Sequence, residues 1–213
     1  MQCPLCHSHS LKTLKHQQVS GEQFLCQICD LIFKSPDLYL NWSEQKSRYD
    51  HHQNQMENPG YVDFFEQLLE PLRPYLPLHQ KALDWGAGPG EKPVLAELLK
   101  KEGLKVETYD PIYQPEPPQG LYEVITSTEV FEHFQGPREC IEKILLHLTS
   151  GGILAGLTQF HQGPQHFEKW WYVKDPTHVV FYSEKTFKWI GQQWGLEVLF
   201  LDNPVFIFRK SWN

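Results

Sequence analysis

The sequence predicts an α/β fold: a mostly parallel sheet flanked by helices, finished by an antiparallel hairpin at its C-terminal edge, with a small cysteine-bearing unit ahead of it. Three observations predict it. From residue 59 onward, short apolar runs alternate with stretches of helical periodicity. A glycine-rich turn, Gly86-Ala87-Gly88-Pro89-Gly90, joins the first of those runs to a helix. Two Cys-x-x-Cys pairs, Cys3/Cys6 and Cys26/Cys29, precede everything else.

The 213 residues suit one α/β domain with an appendage, by the rough rule of about 100–200 residues per domain. Aromatic residues make up 14%, including 7 Trp and 13 Phe, enough to bury a sizeable core. A net charge of −7 provides no basic footprint for nucleic acid. The opening Met1-Gln2-Cys3-Pro4 has no apolar leader, and no apolar run approaches the roughly 18 residues of a membrane span. A cytoplasmic protein without a membrane partner is expected.

Nineteen residues separate the two cysteine pairs. Two thiolates three positions apart on a turn face one metal, and two such knuckles complete a tetrahedral shell. The expectation is a zinc-ribbon over residues 1–35 holding a structural Zn2+ on Cys3, Cys6, Cys26 and Cys29. Four thiolates leave no open position, so this metal holds structure. Two disulfides are the alternative, disfavoured in a reducing compartment; a redox Cys-x-x-Cys accounts for one pair only. His7 and His9, beside the first knuckle, read as surface residues. Cys140 falls on an apolar helical face and reads as a small buried hydrophobe.

Residues 36–58 are polar and read as an irregular linker. Asn58-Pro59 then offers an N-cap followed by proline at the first helical position. Tyr61, Phe64, Phe65, Leu68, Leu69 and Leu72 form one apolar helical face, ended by Pro74 and Pro77. Ala82 to Trp85 read as a strand, the glycines as a tight turn, and Pro93 to Glu102 as a helix stopped by Gly103. The spacing is Gly-x-Gly-x-Gly, neither the Gly-x-Gly-x-x-Gly of dinucleotide sites nor a P-loop, since no Lys-Ser/Thr pair follows. The next strand, 104–110, finishes on Asp110, twenty residues past Gly90. An acid so placed accepts hydrogen bonds from ribose hydroxyls; otherwise it is a turn aspartate before Pro111. Strand 122–129, a helix opening at Pro137, a Gly151-Gly152 turn and strand 153–158 follow. Ser183 caps a last helix, Lys185 to Trp194, ended by Gly195. Strands 196–201 and 205–209 form the terminal hairpin.

Asp84 ahead of the three glycines, Asp110, the string Glu129-Val130-Phe131-Glu132-His133 and the Gly151-Gly152 turn occur in an order that resembles the class I S-adenosylmethionine-dependent methyltransferases. The resemblance covers roughly residues 60–209. It implies a Rossmann-like methyltransferase domain over 59–213 and S-adenosylmethionine as methyl donor. It implies cofactor contacts from Asp84, Trp85, Gly86, Ala87, Gly88, Gly90, Asp110, Pro111, Thr128 and Glu129. In this family the segment before the first strand often closes over the cofactor, so residues 36–58, with His51 and His52, are either such a lid or a solvated linker. Two departures stand out. Trp85 occupies a place where a smaller aliphatic is usual. Only eleven residues, four of them proline, lie between Asp110 and Tyr122, so the third strand is short or missing and the adenine contacts stay open.

An acceptor site is expected in the long aromatic loop 159–182, which leaves the carboxyl end of a strand. Its Asp175-Pro176-Thr177-His178 stretch resembles one found before the last helix of the superfamily. His178 is the first candidate for the reaction centre, followed by His161, Tyr172 and Glu129. The alternative gives Trp170, Trp171 and Phe181 to a lid or to core packing and makes His178 structural. The expected chemistry is in-line methyl transfer, with a small-molecule acceptor favoured over nucleic acid by the aromatic loop and the acidic balance. Two other readings are an RNA methyltransferase docking through the ribbon, and a non-catalytic cofactor-binding or zinc interaction module.

Overall fold

The computed structural model describes residues 1–50, 59–77, 79–90 and 92–212. The lid candidates His51 and His52 and the expected cap Asn58 lie outside the described residues. The N-terminal unit is a meander of β1 (Leu11–Leu14), β2 (Gln23–Cys26) and β3 (Ile32–Lys34), paired antiparallel in that order. One cysteine pair precedes β1; of the other, Cys26 ends β2 and Cys29 lies in the turn from β2 to β3.

The stretch expected to be an irregular linker contains a helix, α1 (Trp42–Tyr49). Asn41 accepts from the Glu44 amide while the Glu44 carboxylate accepts from the Asn41 amide, a reciprocal capping box. The helix has no buried residue, so the apolar periodicity that marks the other helices is silent here. Helix α2 (Pro59–Leu72) follows, and its apolar face buries Phe65, Leu68, Leu69 and Leu72.

The main sheet begins with β4 (Lys81–Trp85), then α3 (Val94–Lys101), β5 (Lys105–Tyr109), β6 (Tyr122–Thr128), α4 (Pro137–Leu146) and β7 (Leu148–Leu157). A short helix α5 (Pro164–Phe167), the two-residue β8 (Val180–Phe181), α6 (Glu184–Trp194), β9 (Leu196–Asp202) and β10 (Val205–Lys210) complete the chain. Strand order is β5-β4-β6-β7-β10-β9. The first four strands pair in parallel, and β10 runs antiparallel to both β7 and β9. Among the described residues no strand lies beyond β5, as the short proline-rich segment after Asp110 implied.

Gly151 and Gly152 correct one expectation, because they lie inside β7 and do not form a turn before it. The strand starts early by pairing Leu148 with Tyr122, and a register irregularity between Tyr122 and Val124 follows. That irregularity accommodates Gly151 at φ +73 within the strand.

Alternation along the strands separates two cores. In β4, Leu83 and Trp85 face one layer and Ala82 the other. Helices α2 and α3 cover the Ala82 face. The opposite face receives α4, α6 and the N-terminal meander, so Cys3, Cys26, Leu31 and Phe33 share a core with Ile125, Phe187 and Phe206. At its centre the Phe187 ring stacks on Phe206 and Tyr182, at 4.5 and 5.2 Å between centroids. Aromatic side chains buried this fully contribute about 2 kcal/mol each from apolar area.

The meander is also joined to the acceptor loop. β8 adds to β3 as a fourth antiparallel strand, pairing Ile32 with Phe181 and Phe33 with Val180. Beneath it Leu14, Ile32, Phe167, Trp170, Tyr172 and Phe181 form a third core. Trp170 and Phe181 are therefore core residues, while Trp171 is 65% exposed. Lys34 reaches from β3 to donate to the Asp175 carbonyl at 2.9 Å; burial pulls its ammonium down to about 8, opposed by Asp175.

Candidate active site

The chain crosses from β4 to β5 on one side and then returns past β4 to β6 on the other, so the strand order reverses at β4. A ligand crevice opens at such a switch point, beyond the carboxyl ends of the strands. The glycine turn stands there. Gly86, Gly88 and Gly90 have φ of +82, +73 and +115. A Cβ at Gly86 would stand 2.4 Å from Val130, so the turn lies directly against the segment that follows β6. At Gly88 and Gly90 a Cβ would meet nothing within 4 Å. These two glycines therefore line open space and form a cradle that a bound group can approach.

Two acids frame the cradle. Asp84 is buried and accepts from the Thr126 hydroxyl at 3.0 Å. Burial lifts its carboxyl from 3.8 to about 7, with Thr126 opposing and Asp110 adding to the rise. Asp110, at the end of β5, accepts from the Gly88 amide at 3.0 Å and from the amides of Ile112 and Tyr113 at 2.8 and 3.2 Å. It thereby fixes the glycine turn, and its oxygens keep further lone pairs facing the crevice side of the turn. Of the other cofactor candidates, Ala87 extends the turn, with its amide donating to the Tyr109 carbonyl. Thr128 ends β6 alongside, and Pro111 follows Asp110 just past the end of β5. The Trp85 side chain turns away into the core against Tyr109, 4.6 Å between centroids, so only its backbone reaches the crevice.

Beyond the end of β6 the chain turns at Glu129, which holds φ +52. A left-handed glutamate costs about 1–2 kcal/mol. Its carboxyl is pushed up to about 9, by burial first and then by Glu132. The short 3-10 turn Phe131–His133 then buries Phe131 and Glu132. Glu132 accepts from the Tyr172 hydroxyl at 2.6 Å and the Thr158 hydroxyl at 2.9 Å. Tyr172 also lies 3.3 Å from Glu129. His178 packs on the Tyr172 ring, 4.1 Å between centroids, and on His133 at 4.9 Å. Three of the four reaction-centre candidates, Glu129, Tyr172 and His178, thus meet in one cluster.

His161 does not join them. Its Nε2–H donates to the Asp30 carbonyl at 2.9 Å and its Nδ1 accepts from the Gly163 amide at 3.2 Å. It braces the second cysteine knuckle beside a separate recess lined by Asp30, Ser183 and Lys185. Burial lowers its pKa. Both ring nitrogens are used on backbone, which explains its placement as structural.

The cluster contains residues that pattern reasoning passed over. Glu132 and His133 were visible as part of a string, but only the turn after β6 shows which carboxylate points inward. Helix α1 was missed, and it crosses the site. Arg48 makes a paired contact with Asp175, both at 3.0 Å, and Tyr49 sets its ring edge-on to His133 at 5.3 Å. On the cofactor side Asp50 accepts from the Tyr113 hydroxyl at 2.8 Å. The helix spans from the strap after Asp110 to the loop carrying His178.

The four N-terminal thiols also converge. Cys3 and Cys29 sulfurs lie 3.5 Å apart, Cys6 and Cys26 sulfurs 3.4 Å, and all four fall within 4.8 Å of one another. A tetrahedral zinc with bonds of about 2.3 Å places its sulfurs about 3.8 Å apart. The donor set and spacing fit that ion. His7 and His9 are exposed, and Cys140 is half-buried against the core.

Comparisons with known proteins agree with this geometry. Residues 40–201 match the family described as Methyltransferase domain. No curated protein sequence is significantly similar to the chain. Among solved structures, magnesium protoporphyrin IX methyltransferase from Synechocystis, with bound SAH, superposes with TM-score 0.51 at 15% identity, over 82% of this chain and 97% of that one. An O-methyltransferase family protein from Burkholderia thailandensis gives TM-score 0.50 at 14% identity, over 79% of this chain and 63% of that one. Strand order, glycine cradle and family match coincide: the chain belongs to the methyltransferase domain family and has the class I, S-adenosylmethionine-dependent methyltransferase fold.

Proposed function

We propose that this protein transfers a methyl group from S-adenosylmethionine to a small acceptor bearing a hydroxyl or amine, presented at the Glu132–Tyr172–His178 cluster. One observation carries the reading: Glu129, with φ +52, leaves the strand end beside the glycine cradle and reaches Tyr172 at 3.3 Å. Donor cradle and polar cluster are thereby neighbours on one rim of the sheet.

The donor, when bound, supplies a methyl group already activated on a sulfonium. What the chain supplies is placement. Gly88 and Gly90 leave room for close approach, and Asp110 holds the turn while offering its remaining lone pairs to hydroxyls. On the acceptor side Tyr172 and Thr158 fix the Glu132 carboxylate. His178 and His133 donate Nδ1–H to the carbonyls of Tyr172 and Thr177, at 2.8 and 3.0 Å. A carbonyl only accepts, so each imidazole keeps a lone pair on Nε2. On this reading the cluster helps the acceptor's proton leave. The net charge of −7 and the enclosure of the cluster by Tyr49 and Asp175 support a small acceptor over a nucleic acid. The four-cysteine site would hold a structural Zn2+, which braces the loop that carries the cluster through β3 and β8.

Calorimetry with S-adenosylhomocysteine, followed by transfer of labelled methyl from S-adenosylmethionine to small hydroxyl and amine compounds and to total RNA, tests the proposal. Binding is expected in the wild type, roughly tenfold or more weaker in Asp110→Ala, with label entering the small-molecule fraction. Label in RNA would overturn the acceptor class. Absence of binding would overturn the whole reading.

A further inference from the structure

Glu132 poses a problem that the methyl-transfer reading leaves unsolved. Its side chain is fully buried, and among the described residues no lysine or arginine pairs with it. Isolating a carboxylate from water is expensive unless a cation or several donors compensate. The two hydroxyls on it are neutral. The neighbouring Glu129 is a second carboxyl that shares a hydrogen bond with it and brings no positive charge. Among the described residues its ion-pair contact is His133, with Nε2 at 3.9 Å from Oε1.

The surroundings of that carboxylate are those of a ligand set. One donor atom from each of Glu132, His133 and His178 lies within 4.8 Å of the other two. Both imidazoles are oriented the same way, with Nδ1–H on a backbone carbonyl and the Nε2 lone pair left over. That is how metal-binding histidines are held, the bond at one nitrogen fixing the tautomer and ring direction for the other. The carboxylate is likewise held from behind by Tyr172 and Thr158, which leaves it further lone pairs. The cluster is also open on one side, where the His133 side chain is 18% exposed.

We infer that Glu132, His133 and His178 bind a divalent transition-metal ion that coordinates the acceptor oxygen. Two imidazoles and one carboxylate suit Mn2+, Fe2+, Co2+ or Zn2+ and leave positions for water and acceptor. They suit Mg2+ and Ca2+ poorly, since those prefer oxygen alone. The site is distinct from the four thiols, whose shell is closed. A bound ion lowers the pKa of an acceptor hydroxyl, as it does for water. The O–H bond then breaks with its proton passing to solvent. The freed oxygen pair forms the O–CH3 bond while the C–S pair returns to sulfur, giving a neutral thioether. The chemical use of the ion rests on the proposed methyl transfer; the ligand set does not.

The test is Mn2+ titration followed by electron paramagnetic resonance, on full-length protein carrying zinc at its cysteines and dialysed free of loosely held ions. One Mn2+ per chain is expected. His178→Ala and His133→Ala should each weaken it at least tenfold, and Tyr172→Phe by roughly 10- to 100-fold through the held carboxylate. S-adenosylhomocysteine affinity, measured on the same samples, shows that each variant is folded. No Mn2+ or Zn2+ binding beyond the ion on the cysteines would overturn the inference, as would unchanged Mn2+ affinity in both histidine variants. Mn2+ binding without S-adenosylhomocysteine binding in the wild type would uphold this site and sink the methyl-donor reading instead.

Discussion

The Tyr172 hydroxyl donates to Glu132 at 2.6 Å and stands 3.3 Å from Glu129, so one phenol ties together the two carboxylates at the end of β6. Tyr172→Phe removes that tie and leaves Thr158 as the remaining hydroxyl on Glu132. The loss of a donor to a buried carboxylate should cost about 1–3 kcal/mol of stability, measured by denaturant unfolding. Turnover should fall about 100-fold or more, as expected when a positioned group is lost. S-adenosylhomocysteine affinity should stay within about twofold, because Tyr172 bonds to neither the glycine turn nor Asp110 and reaches the cofactor side only through the long 3.3 Å contact to Glu129. Unchanged turnover in single-turnover transfer would remove Tyr172 from the mechanism.

The three glycines of the turn should separate on substitution. Gly86→Ala drives a methyl to 2.4 Å from Val130 at φ +82, so packing and backbone both suffer. Its thermal midpoint should drop by several degrees, as about 2 kcal/mol or more is lost. Gly88→Ala meets open space and carries only the left-handed penalty of about 1 kcal/mol. Its fold should persist while S-adenosylhomocysteine affinity falls tenfold or more, since the added methyl projects into the cradle. Equal effects of the two on melting and on binding would show that the space beyond Gly88 is not a ligand site.

Much of this architecture is legible from periodicity. The faces of α2, α3 and α6 and the strands of the main sheet follow from apolar spacing, and Asp110 follows from its distance to the glycines. What escaped was governed by other forces. Helix α1 is held by its capping box and by Arg48 on Asp175, neither of which produces an apolar stripe. His161 and His178 are both buried histidines in one loop and look equivalent in the chain. They differ because His161 spends both nitrogens on backbone, one on Asp30 of the second cysteine knuckle and one on Gly163 of its own loop, whereas His178 keeps one. Trp85 occupies a cofactor position in the pattern, yet strand alternation sends its side chain to the core. The inward turn of Glu132 depends on Glu129 adopting φ +52, a conformation that no local preference announces.

If the four thiols hold the proposed structural zinc, losing it should reach the candidate site. Cys3, Cys26 and Cys29 are part of the largest core, and β3 carries β8 as its neighbour. Asp30, on the second knuckle, accepts from Ser183 at 2.7 Å and from His161 at 2.9 Å. Cys29→Ser should lose about one bound zinc per chain by elemental analysis and lower the thermal midpoint by ten degrees or more, since closed zinc sites contribute folding energy outright. Hydrogen exchange in 176–183 should accelerate along with that in 23–35. Faster exchange confined to the N-terminal segment would show that the β3–β8 pairing does not couple the two.

Asp84 should give the protein a stability component that decreases with rising pH. Burial lifts its carboxyl from 3.8 to about 7, so the folded chain holds this proton more tightly than the unfolded chain does. Stability from this group is fully present below pH 3.8, is lost as pH rises, and levels off above about 7. The total change is on the order of 4 kcal/mol, taking about 1.4 kcal/mol per pKa unit. Asp84→Asn keeps an oxygen to accept from Thr126 but cannot ionise. The difference in unfolding free energy between Asp84→Asn and wild type should therefore climb in favour of the variant between about pH 4 and pH 7, then flatten. A difference independent of pH would mean that Asp84 is ionised in the folded protein throughout. In that event the carboxylate beneath the glycine cradle would be a standing negative charge available to a cationic ligand, and the variant should lose affinity for S-adenosylmethionine more than for its neutral thioether product.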